Sequence, residues 1–300
     1  MFVHRSASGV IARAPAKINL FFEVLGRRDD GFHEVETLMI PVSLYDSLVF
    51  APDTTGNISL SCRWADLRQT GTGASLGTLP SSAENLVTKA VQLLRERAGI
   101  QLGARLTLVK RIPSAAGLGG GSSDAAAALL AANMGWNLKW SRERLAKLAA
   151  ELGSDVPFFL DACPAVCRGR GEQIEPVGPL PTLHVVIVRP PAGLSTAAVY
   201  AASTPSARPQ QVEPLVEALR QGNLGRSRAL VRNRLEEPAA SLSPWVGRLR
   251  DEFKRVDCVA AQMSGSGTSY FGICRSARHA RRVAARLRSR SVGRVYQVHS

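Results

Sequence analysis

Apolar and polar residues alternate near the N-terminus over a stretch long enough to form a strand. Four apolar side chains there are spaced two residues apart: Ile18, Leu20, Phe22 and Val24. A two-residue period places them on one face of a strand and leaves Lys17 and Asn19 on the opposite face. The pattern predicts a half-buried strand whose second face has polar groups. A turn is predicted at residues 27–31 and further strand at 39–50.

The rest of the chain shows helical and strand periodicity in turn. Apolar residues at three- and four-residue spacing predict helices at residues 84–98, 122–132, 141–152, 212–220 and 245–255. Strands are predicted at residues 105–110, 165–168, 184–188, 259–263 and 269–274. Residues 71–82, rich in Gly, Ser and Thr, predict an exposed loop or hairpin tip. Because the pattern restarts after Pro164, we expect an α+β protein with domains at 1–164 and 165–300.

The composition is typical of a globular protein with about two domains. The chain has 300 residues, of which 45% are hydrophobic, and it can bury a substantial core. Its apolar runs are far shorter than the ~18 residues needed to cross a bilayer, and no secretory signal is apparent. The five cysteines are scattered and odd in number, which favours reduced thiols. Cys163 and Cys167 have no second pair at zinc spacing, so no metal site made by protein alone is predicted. We therefore expect a cytoplasmic protein with no membrane partner, either a monomer or a homodimer.

The chain is strongly basic, with a formal net charge of +14 at pH 7. The densest cluster, residues 275–294, contains eight arginines and no acid. Apolar residues within it recur at helical spacing: Ala280, Val283, Ala284 and Leu287. This spacing predicts a helix that packs by one face and exposes arginines on the other. Because no aromatic residues interleave with these arginines, we do not expect nucleic acid as a partner, and the positive field favours small polyanions.

A glycine-rich loop is the most informative segment. Residues 113–124 are Pro-Ser-Ala-Ala-Gly-Leu-Gly-Gly-Gly-Ser-Ser-Asp, and an apolar helical run follows them. Glycines allow positive φ and close approach of the backbone to a ligand, and a helix N-terminus presents free N–H groups to an anion. We expect Ser122 or Ser123, with Asp124, to cap this helix. The Walker pattern is excluded because Gly121, not Lys, precedes Ser122, and the dinucleotide pattern is excluded because Ser122 replaces its third glycine. The loop therefore predicts a phosphate site of another kind.

Three further regions match one known family in the right order. Residues 14–20 are Ala-Pro-Ala-Lys-Ile-Asn-Leu, and residues 28–33 are Arg-Asp-Asp-Gly-Phe-His. Residues 152–159 are Leu-Gly-Ser-Asp-Val-Pro-Phe-Phe, and residues 263–268 are Met-Ser-Gly-Ser-Gly-Thr. With the loop, they resemble the GHMP kinase superfamily and, within it, the kinases of 4-diphosphocytidyl-2-C-methyl-D-erythritol. The resemblance spans roughly residues 10–274.

The resemblance implies a fold and a reaction. The fold would be two α+β domains, the first similar to ribosomal S5 domain 2, with the active site in the cleft between them. The reaction would be ATP-dependent phosphorylation of the 2-hydroxyl of 4-diphosphocytidyl-2-C-methyl-D-erythritol, with Mg²⁺ accompanying the nucleotide. This step belongs to the methylerythritol phosphate route to isoprenoids.

The resemblance also implies roles for individual residues. Lys17 and Asp155 would form the catalytic pair. ATP would be bound by Pro113, Ala116, Gly117, Leu118, Gly119, Gly120, Gly121, Ser122 and Ser123, with Asn85 and Leu86 at the adenine. The acceptor would contact Asn19, Phe32, His33, Thr196 and Tyr200, the last stacking on the cytosine. Gly265, Ser266 and Gly267 would face the phosphates from the C-terminal domain. The family more often has Tyr at the position of Phe32, so the ring is kept here and its hydroxyl is lost.

Simpler interpretations of these residues remain open on the sequence alone. Asp155 follows Gly153 and precedes Pro157, which also suits a helix cap, and Lys17 also suits a surface ammonium. Tyr200 also suits a packing residue on a helix. A kinase acting on homoserine, mevalonate or isopentenyl phosphate would share the loop but would not need residues 30–33. A non-catalytic, basic S5-like protein that binds RNA is a further alternative, although it would need neither Lys17 nor Asp155.

Overall fold

The computed structural model describes residues 1–7, 9–65 and 78–300. Its strands are β1 (Phe2–Ser6), β2 (Gly9–Arg27), β3 (His33–Asp53), β4 (Ile58–Trp64), β5 (Gly103–Lys110), β6 (Ala165–Arg168), β7 (Gln173–Pro176), β8 (His184–Arg189), β9 (Arg232–Asn233), β10 (Ala260–Met263), β11 (Tyr270–Cys274) and β12 (Arg294–His299). Its helices are α1 (Leu86–Ala98), α2 (Gly120–Gly135), α3 (Arg142–Leu152), α4 (Val156–Asp161), α5 (Thr196–Ala201), α6 (Glu213–Arg220), α7 (Leu224–Leu230), α8 (Glu236–Leu242), α9 (Pro244–Lys254) and α10 (Ala277–Arg288). The α+β class is confirmed. The loop predicted at residues 71–82 lies outside the described residues as far as residue 77.

The first sheet is organised around the long antiparallel pair of β2 and β3. The strand order is β1-β2-β3-β5-β4, while β6 pairs with β3 and β7, and β9 pairs with β2. A core of apolar side chains from this sheet and from α1, α2, α3 and α4 lies on one face. The division placed at residue 164 falls between α4 and β6, and β6 and β7 extend the first sheet through their pairing.

Strand β2 differs from its prediction because both of its faces are covered. Ile18 and Leu20 pack in one apolar cluster, and Phe22 and Val24 pack in another that includes helices of the C-terminal half. Lys17 and Asn19, predicted on a free face, are only 4% and 1% exposed. The prediction that this strand is half-buried is therefore wrong. The pattern of one strand does not reveal that a second layer of the same chain packs on its polar face.

The second sheet is fully antiparallel and has the order β10-β11-β8-β12. Alternate residues of its inner strand β8 enter two different cores, with Val185 and Ile187 on one side and Val186 and Val188 on the other. Helices α9 and α10 contribute to the second of these cores. This burial on both faces explains why β8 is a continuous apolar run instead of an alternating one.

Helix α2 begins two residues before the predicted cap. Its N-cap is Gly119, which has φ of 68° and no side-chain capping bond, so Ser122 and Ser123 lie inside the first turn. The predicted Ser/Asp cap is therefore wrong. Left-handed φ at Gly119 turns the chain sharply into the helix, which only glycine does without steric cost. The alanines at 125–128, 131 and 132 are fully buried, so α2 is the central helix of the first core.

Helices α3 and α10 match their sequence patterns closely. Ser141 caps α3 by accepting a hydrogen bond from the Arg144 N–H, and α3 ends at Gly153. In α10, the four apolar residues predicted to pack are all buried. The arginines of this helix are exposed, as the amphipathic pattern predicted.

Helix α1 begins at Leu86, two residues after the predicted start, because Asn85 caps it by accepting from the Val87 N–H. The apolar spacing of Leu86, Ala90, Leu93 and Leu94 predicts that these four residues form the buried side of the helix, and this is partly wrong. Ala90 and Leu94 are buried as expected, but Leu86 and Leu93 are only partly buried, and Val87 and Val91 occupy the inner face.

Two further features concern the cysteines and membrane-spanning helices. All five cysteines are free thiols, as their odd number and scatter suggested. Within the described residues, no helix combines the length and the apolar character that a membrane crossing requires.

Candidate active site

A cleft of about 1120 Å³ brings most of the sequence-predicted site residues together. The predicted residues that line it are Lys17, Phe32, His33, Asn85, Leu86, Pro113, Ala116, Gly117, Leu118, Gly119, Gly120, Gly121, Ser122, Asp155, Thr196, Tyr200, Gly265, Ser266 and Gly267. Asn19 and Ser123 are buried and do not line it. Residues from each predicted group, catalytic, ATP-binding and acceptor-binding, therefore line the same cleft, although they lie up to 250 residues apart in the sequence.

The glycine-rich loop ends at the N-terminus of α2, which opens into the cleft. The Ser123 N–H is the first to bond back, donating to the Gly119 carbonyl at 2.9 Å. The N–H groups of Gly120, Gly121 and Ser122 precede this bond, so no helix carbonyl is available to accept from them. Together with the positive end of the helix dipole, they form a site suited to phosphate oxygens.

The loop is held in place by the rest of the protein. The Lys17 N–H donates to the Leu118 carbonyl at 3.0 Å, which ties the loop to β2. The Ser264 hydroxyl donates to the Gly117 carbonyl at 2.9 Å, which ties it to the turn after β10. These bonds direct loop carbonyls away from the cleft and leave its N–H groups for a ligand.

The glycines of the loop serve two different needs. A Cβ on Gly117 would lie 2.1 Å from the Ser264 carbonyl oxygen, and one on Gly119 would lie 2.7 Å from Cζ of Phe159. At these two positions the structure requires glycine for internal packing, whereas we expected the glycines to serve the approach of a ligand. A Cβ on Gly121 would meet only Cδ1 of Leu86, at 3.6 Å, an ordinary contact distance. Gly121 is therefore the position at which ligand space can be tested without disturbing the fold.

Lys17 and Asp155 lie side by side in the cleft. The distance from Lys17 Nζ to Asp155 Oδ2 is 3.5 Å, and the Lys17 side chain is 5% exposed against 36% for Asp155. The surface-ammonium interpretation of Lys17 is therefore wrong. Asp155 does occupy the N-cap position of α4, but its side chain makes no capping hydrogen bond. Its carboxylate is thus available for a role other than capping a helix.

Asn19 holds the Lys17 ammonium through a hydrogen bond. Its amide oxygen accepts a hydrogen bond from Lys17 Nζ at 2.6 Å, and its Nδ2 donates to the Thr37 hydroxyl at 2.8 Å. The Thr37 hydroxyl in turn donates to the Phe21 carbonyl at 2.6 Å. Since both ends of the amide already have partners, the structure places Asn19 behind the lysine and not at the surface of the cleft.

Aromatic side chains form one end of the cleft. The rings of His33 and Tyr200 lie 5.1 Å apart between centroids, with an interplanar angle of 32°. Tyr200 also contacts Phe22 edge-on, at 6.4 Å between centroids. Tyr200 thus both packs on the core and lines the cleft, so the packing interpretation and the ligand-binding interpretation are compatible. Burial raises the pKa of its phenol. Phe32 is 50% exposed, which is unusual for so large an apolar side chain.

The turn after β10 faces Lys17 from the C-terminal half. A Cβ on Gly265 would lie 3.3 Å from Lys17 Nζ, so this glycine permits the close approach of the two segments. Asn233 braces the turn, because its Nδ2 donates to the carbonyls of Met263 and Gly265 at 2.9 and 2.8 Å. The hydroxyls of Ser266 and Thr196 lie 2.8 Å apart and link the turn to α5.

Known proteins resemble this chain over nearly all of its length. Family models of the GHMP kinase N-terminal and C-terminal domains match residues 85–167 and 215–292. A 4-diphosphocytidyl-2-C-methyl-D-erythritol kinase of Pelotomaculum thermopropionicum is 43% identical over 281 residues, covering 93% of this chain and 94% of the relative. One of Shouchella clausii is 40% identical, covering 87% and 84%. The chain belongs to the 4-diphosphocytidyl-2-C-methyl-D-erythritol kinase family.

Solved structures agree with this family. A crystal structure of a 4-(cytidine 5'-diphospho)-2C-methyl-D-erythritol kinase superposes with a TM-score of 0.79 at 37% identity, covering 96% of this chain and 98% of that one. A homoserine kinase of Cytophaga hutchinsonii has a TM-score of 0.75 at 18% identity, and it shares the fold alone. The two-domain GHMP kinase fold and the assignment as a small-molecule kinase are therefore confirmed.

Sequence reasoning missed a buried charge cluster that this family member has beside the phosphate loop. Lys110 Nζ donates to the carboxylates of both Asp46 and Asp124, and all three side chains are buried. Asp46 also accepts the Ile112 N–H at 2.9 Å, whereas Asp124 Oδ1 has no partner among the described residues. The position of Asp124 after the loop serines was visible in the sequence. No local pattern, however, indicated that Asp46 and Lys110 would meet it.

The cluster has two carboxylates for one ammonium, so one carboxylate lacks a full counter-charge. Burial raises the pKa of the Asp124 carboxyl, and the charge of Asp46 raises it further against the opposing effect of Lys110. Burial alone would lower the pKa of Lys110, but the two carboxylates hold it above its usual value. The Asp124 carboxyl therefore keeps its proton to higher pH than an ordinary aspartate does.

We expect Asp124→Asn to gain stability relative to the native protein as pH rises. An unfolded Asp ionises near pH ~3.9, while the buried carboxyl keeps its proton to higher pH. The stabilisation associated with this group is fully present below that value and is lost as pH rises through the folded pKa. The amide does not titrate, so the difference in the free energy of unfolding should move in favour of the variant above about pH 4. Urea unfolding at several pH values measures this.

Asp257→Asn is the matched control with the opposite sign. Asp257 is exposed, and its hydrogen bonds with Arg275 lower the pKa of its carboxyl. Its stabilisation is present above the unfolded pKa, so this variant should lose stability relative to the native protein as pH rises. A pH-independent difference for Asp124→Asn would show that its carboxyl titrates normally.

We expect Gly121→Val to weaken ATP binding by about tenfold or more, which corresponds to about 1.4 kcal/mol. The new side chain has room to fold but would project into the space where the helix N-terminus meets the nucleotide. Calorimetric titration with a non-hydrolysable ATP analogue measures the affinity, and the melting temperature should remain close to that of the native protein. Gly119→Val is the comparison and should lower the melting temperature, because it collides with Phe159. Unchanged affinity in a folded Gly121→Val protein would place the phosphate site elsewhere.

Proposed function

We propose that this protein transfers the γ-phosphoryl group of ATP to the 2-hydroxyl of 4-diphosphocytidyl-2-C-methyl-D-erythritol, producing the 2-phosphate and ADP in isoprenoid biosynthesis. The observation that supports this most directly is the position of the Lys17–Asp155 pair. It lies in the same cleft as the N-terminus of α2 and the aromatic end, so a phosphate donor and a planar base can both reach it. Family membership supports the same reaction.

The nucleotide end of the cleft would be formed by the loop and α1. The N–H groups of residues 120–122 would bind phosphate oxygens, and Asn85 and Leu86 would line the adenine pocket. Mg²⁺ bound with the nucleotide would neutralise part of the triphosphate charge. Hard cations prefer oxygen ligands. Ser122 lines the cleft in the first turn of α2, so we propose its hydroxyl as the protein's oxygen for this ion.

The acceptor end would recognise cytosine. His33 would hydrogen-bond an edge of the base, and Phe32 and Tyr200 would provide flat surfaces for it. Stacking of this kind stabilises a bound base by roughly 1–3 kcal/mol. Thr196, linked to Ser266, would contact the acceptor next to the phosphates.

The chemistry needs positioning and charge more than covalent participation, because the phosphoryl transition state is loose. Asp155 would accept the proton of the 2-hydroxyl as the hydroxyl oxygen attacks the γ-phosphorus. Lys17 would stabilise the negative charge on the transferring group, and Asn19 would hold its ammonium in place. Gly265, Ser266 and Gly267 would close this region from the C-terminal half.

Other features of the protein remain part of the proposal. We propose that the boundary between the two domains lies at residue 164, giving domains at 1–164 and 165–300 with the cleft between them, although β6 and β7 belong to the sheet of the first. We also propose a cytoplasmic enzyme, which its five free cysteines support, acting as a monomer or homodimer on small-molecule substrates.

The direct test is an acceptor panel. With Mg-ATP, the purified protein should release ADP with 4-diphosphocytidyl-2-C-methyl-D-erythritol and not with homoserine, mevalonate or isopentenyl phosphate. Turnover of one of the latter alone would assign the protein to a different kinase of the superfamily. RNA binding without ADP release from any acceptor would support the non-catalytic alternative.

His33→Ala should raise KM for the cytidylated acceptor by about 10–100-fold and change KM for ATP by less than about twofold. The buried edge of a base loses binding steeply when its hydrogen-bond partner is removed. Tyr200→Leu should produce a smaller loss of the same kind, since bulk remains but the flat ring does not. His4→Ala, at an exposed position on β1, is the control. A rise in KM for ATP instead would place the cytosine elsewhere.

A further inference from the structure

Between the cytosine end of the cleft and the reacting hydroxyl lies the part of the acceptor with the most charge. If the proposed function is right, this part is the diphosphate, whose negative charges must enter a partly enclosed space. Charge-assisted hydrogen bonds from arginine are the usual way to recognise such a group. The cations that line the cleft within the described part of the chain are Lys17, Arg27, Lys110 and Arg170.

Two of these cations are already engaged. Lys17 is paired with Asp155 and Asn19, and Lys110 is held between two buried carboxylates. Arg27 is an exposed residue at the end of β2. Arg170 remains as the cation that is partly buried and whose side chain makes no hydrogen bond to the described part of the protein.

Arg170 lies at a well-defined place between the cytosine end and the catalytic pair. It occupies the turn between β6 and β7, flanked by Gly169 and Gly171 with φ of 72° and 114°. The Gly169 carbonyl accepts the Val35 N–H at 2.8 Å, which ties the turn to β3 beside His33. On the other side, a Cβ on Gly171 would lie 3.7 Å from Asp155 Oδ1. The turn therefore lies between the start of β3, where His33 lies, and Asp155.

The guanidinium of Arg170 is oriented but not saturated. Its Cζ lies 4.8 Å from the centre of the exposed Phe32 ring, a cation–π arrangement. Its nearest carboxylate is Glu172 at 3.9 Å, too long for a hydrogen bond, and Glu172 already accepts the Arg170 N–H at 2.7 Å. Asp30 is a second acidic neighbour, but Asp30 is paired with Arg28 at 3.2 Å. Among the described residues no side-chain hydrogen bond from this guanidinium occurs, so its donors are available to a ligand.

We propose that Arg170 binds the diphosphate of the acceptor and makes the enzyme select a cytidine diphosphate ester over an uncharged cytidine derivative. The planar fork of the guanidinium, held over Phe32, presents two N–H donors to phosphate oxygens next to the base. Arg170 is then a specificity-determining residue, since its turn links the base-binding end to the catalytic pair.

The experiment compares ligands that differ only in phosphate. Calorimetry measures the affinities of cytidine, CMP and CDP for the native protein, Arg170→Gln and Arg170→Lys, with a non-hydrolysable ATP analogue saturating the other end. Arg170→Gln should weaken CDP by about 10–100-fold and cytidine by less than about twofold, and Arg170→Lys should be intermediate. In steady-state assays, Arg170→Gln should raise KM for the acceptor by a similar factor while KM for ATP stays within about twofold.

Arg27→Gln is the matched control at the rim of the same cleft, and it should change CDP affinity by less than about threefold. Equal losses for cytidine and CDP in Arg170→Gln would mean that Arg170 only supports Phe32, and this would overturn the proposal. A loss confined to Arg27→Gln would overturn it as well. Native protein that fails to phosphorylate the cytidylated acceptor would refute the proposed function itself, whereas normal turnover with an unaffected Arg170→Gln would refute this inference alone.

Discussion

Asp155→Asn should lower kcat by about 10²-fold or more while the melting temperature and the affinity for ATP stay close to native, which is the usual scale of loss for a general base. Asn keeps the shape of the side chain but cannot accept the hydroxyl proton. The carboxylate is 36% exposed and does not cap α4, so the fold does not depend on it. Steady-state turnover at saturating substrates, a calorimetric titration with an ATP analogue and a thermal melt separate these effects.

Asp161→Asn is the control for Asp155→Asn. Asp161 ends the same short helix, its side chain is 67% exposed, and it pairs with Arg142 at 3.6 Å. Its replacement should leave kcat within about twofold, because surface ion pairs contribute little. Near-native turnover of Asp155→Asn would remove proton transfer to this residue from the mechanism and leave positioning and charge as the whole of the catalysis.

Lys17→Met should lower kcat/KM by about 10²–10³-fold, which is the usual loss when a group that stabilises transition-state charge is removed. Met has similar length and keeps the packing of the buried stem, but it removes the ammonium beside Asp155 and leaves the Asn19 amide oxygen without its donor. Lys147→Met, at an exposed position on α3, should remain active. Activity of Lys17→Met within about tenfold of native would contradict the role of the ammonium.

The losses in kcat/KM caused by Asp155→Asn and Lys17→Met should not be additive. Because Lys17 and Asp155 are proposed to act on the same transferring group, the double variant should lose little more than the worse single variant. Full additivity of the losses in kcat/KM would show that the two residues act independently, which the 3.5 Å separation argues against.

Local sequence patterns predicted local features well. Ser141 and Gly153 bound α3, and the apolar stripe of α10 is buried, because capping and helical periodicity depend on residues within one or two turns. The candidate site residues were predicted from the order of several motifs, and the cleft includes nearly all of them. The N-cap of α2 was misplaced because Gly119 adopts a left-handed conformation that favours a cap without a side chain.

The sequence by itself determined the class of fold, and it predicted the phosphate loop and the pair Lys17 and Asp155. Only the tertiary structure decided what surrounds them. It buried both faces of β2, turned Asn19 away from the cleft, reserved Gly117 and Gly119 for internal packing, and brought Asp46, Lys110 and Asp124 together. It also placed Arg170 over Phe32. The physical reason is that burial and charge depend on contacts between distant segments, whereas a periodic pattern or a turn depends on the few residues beside it.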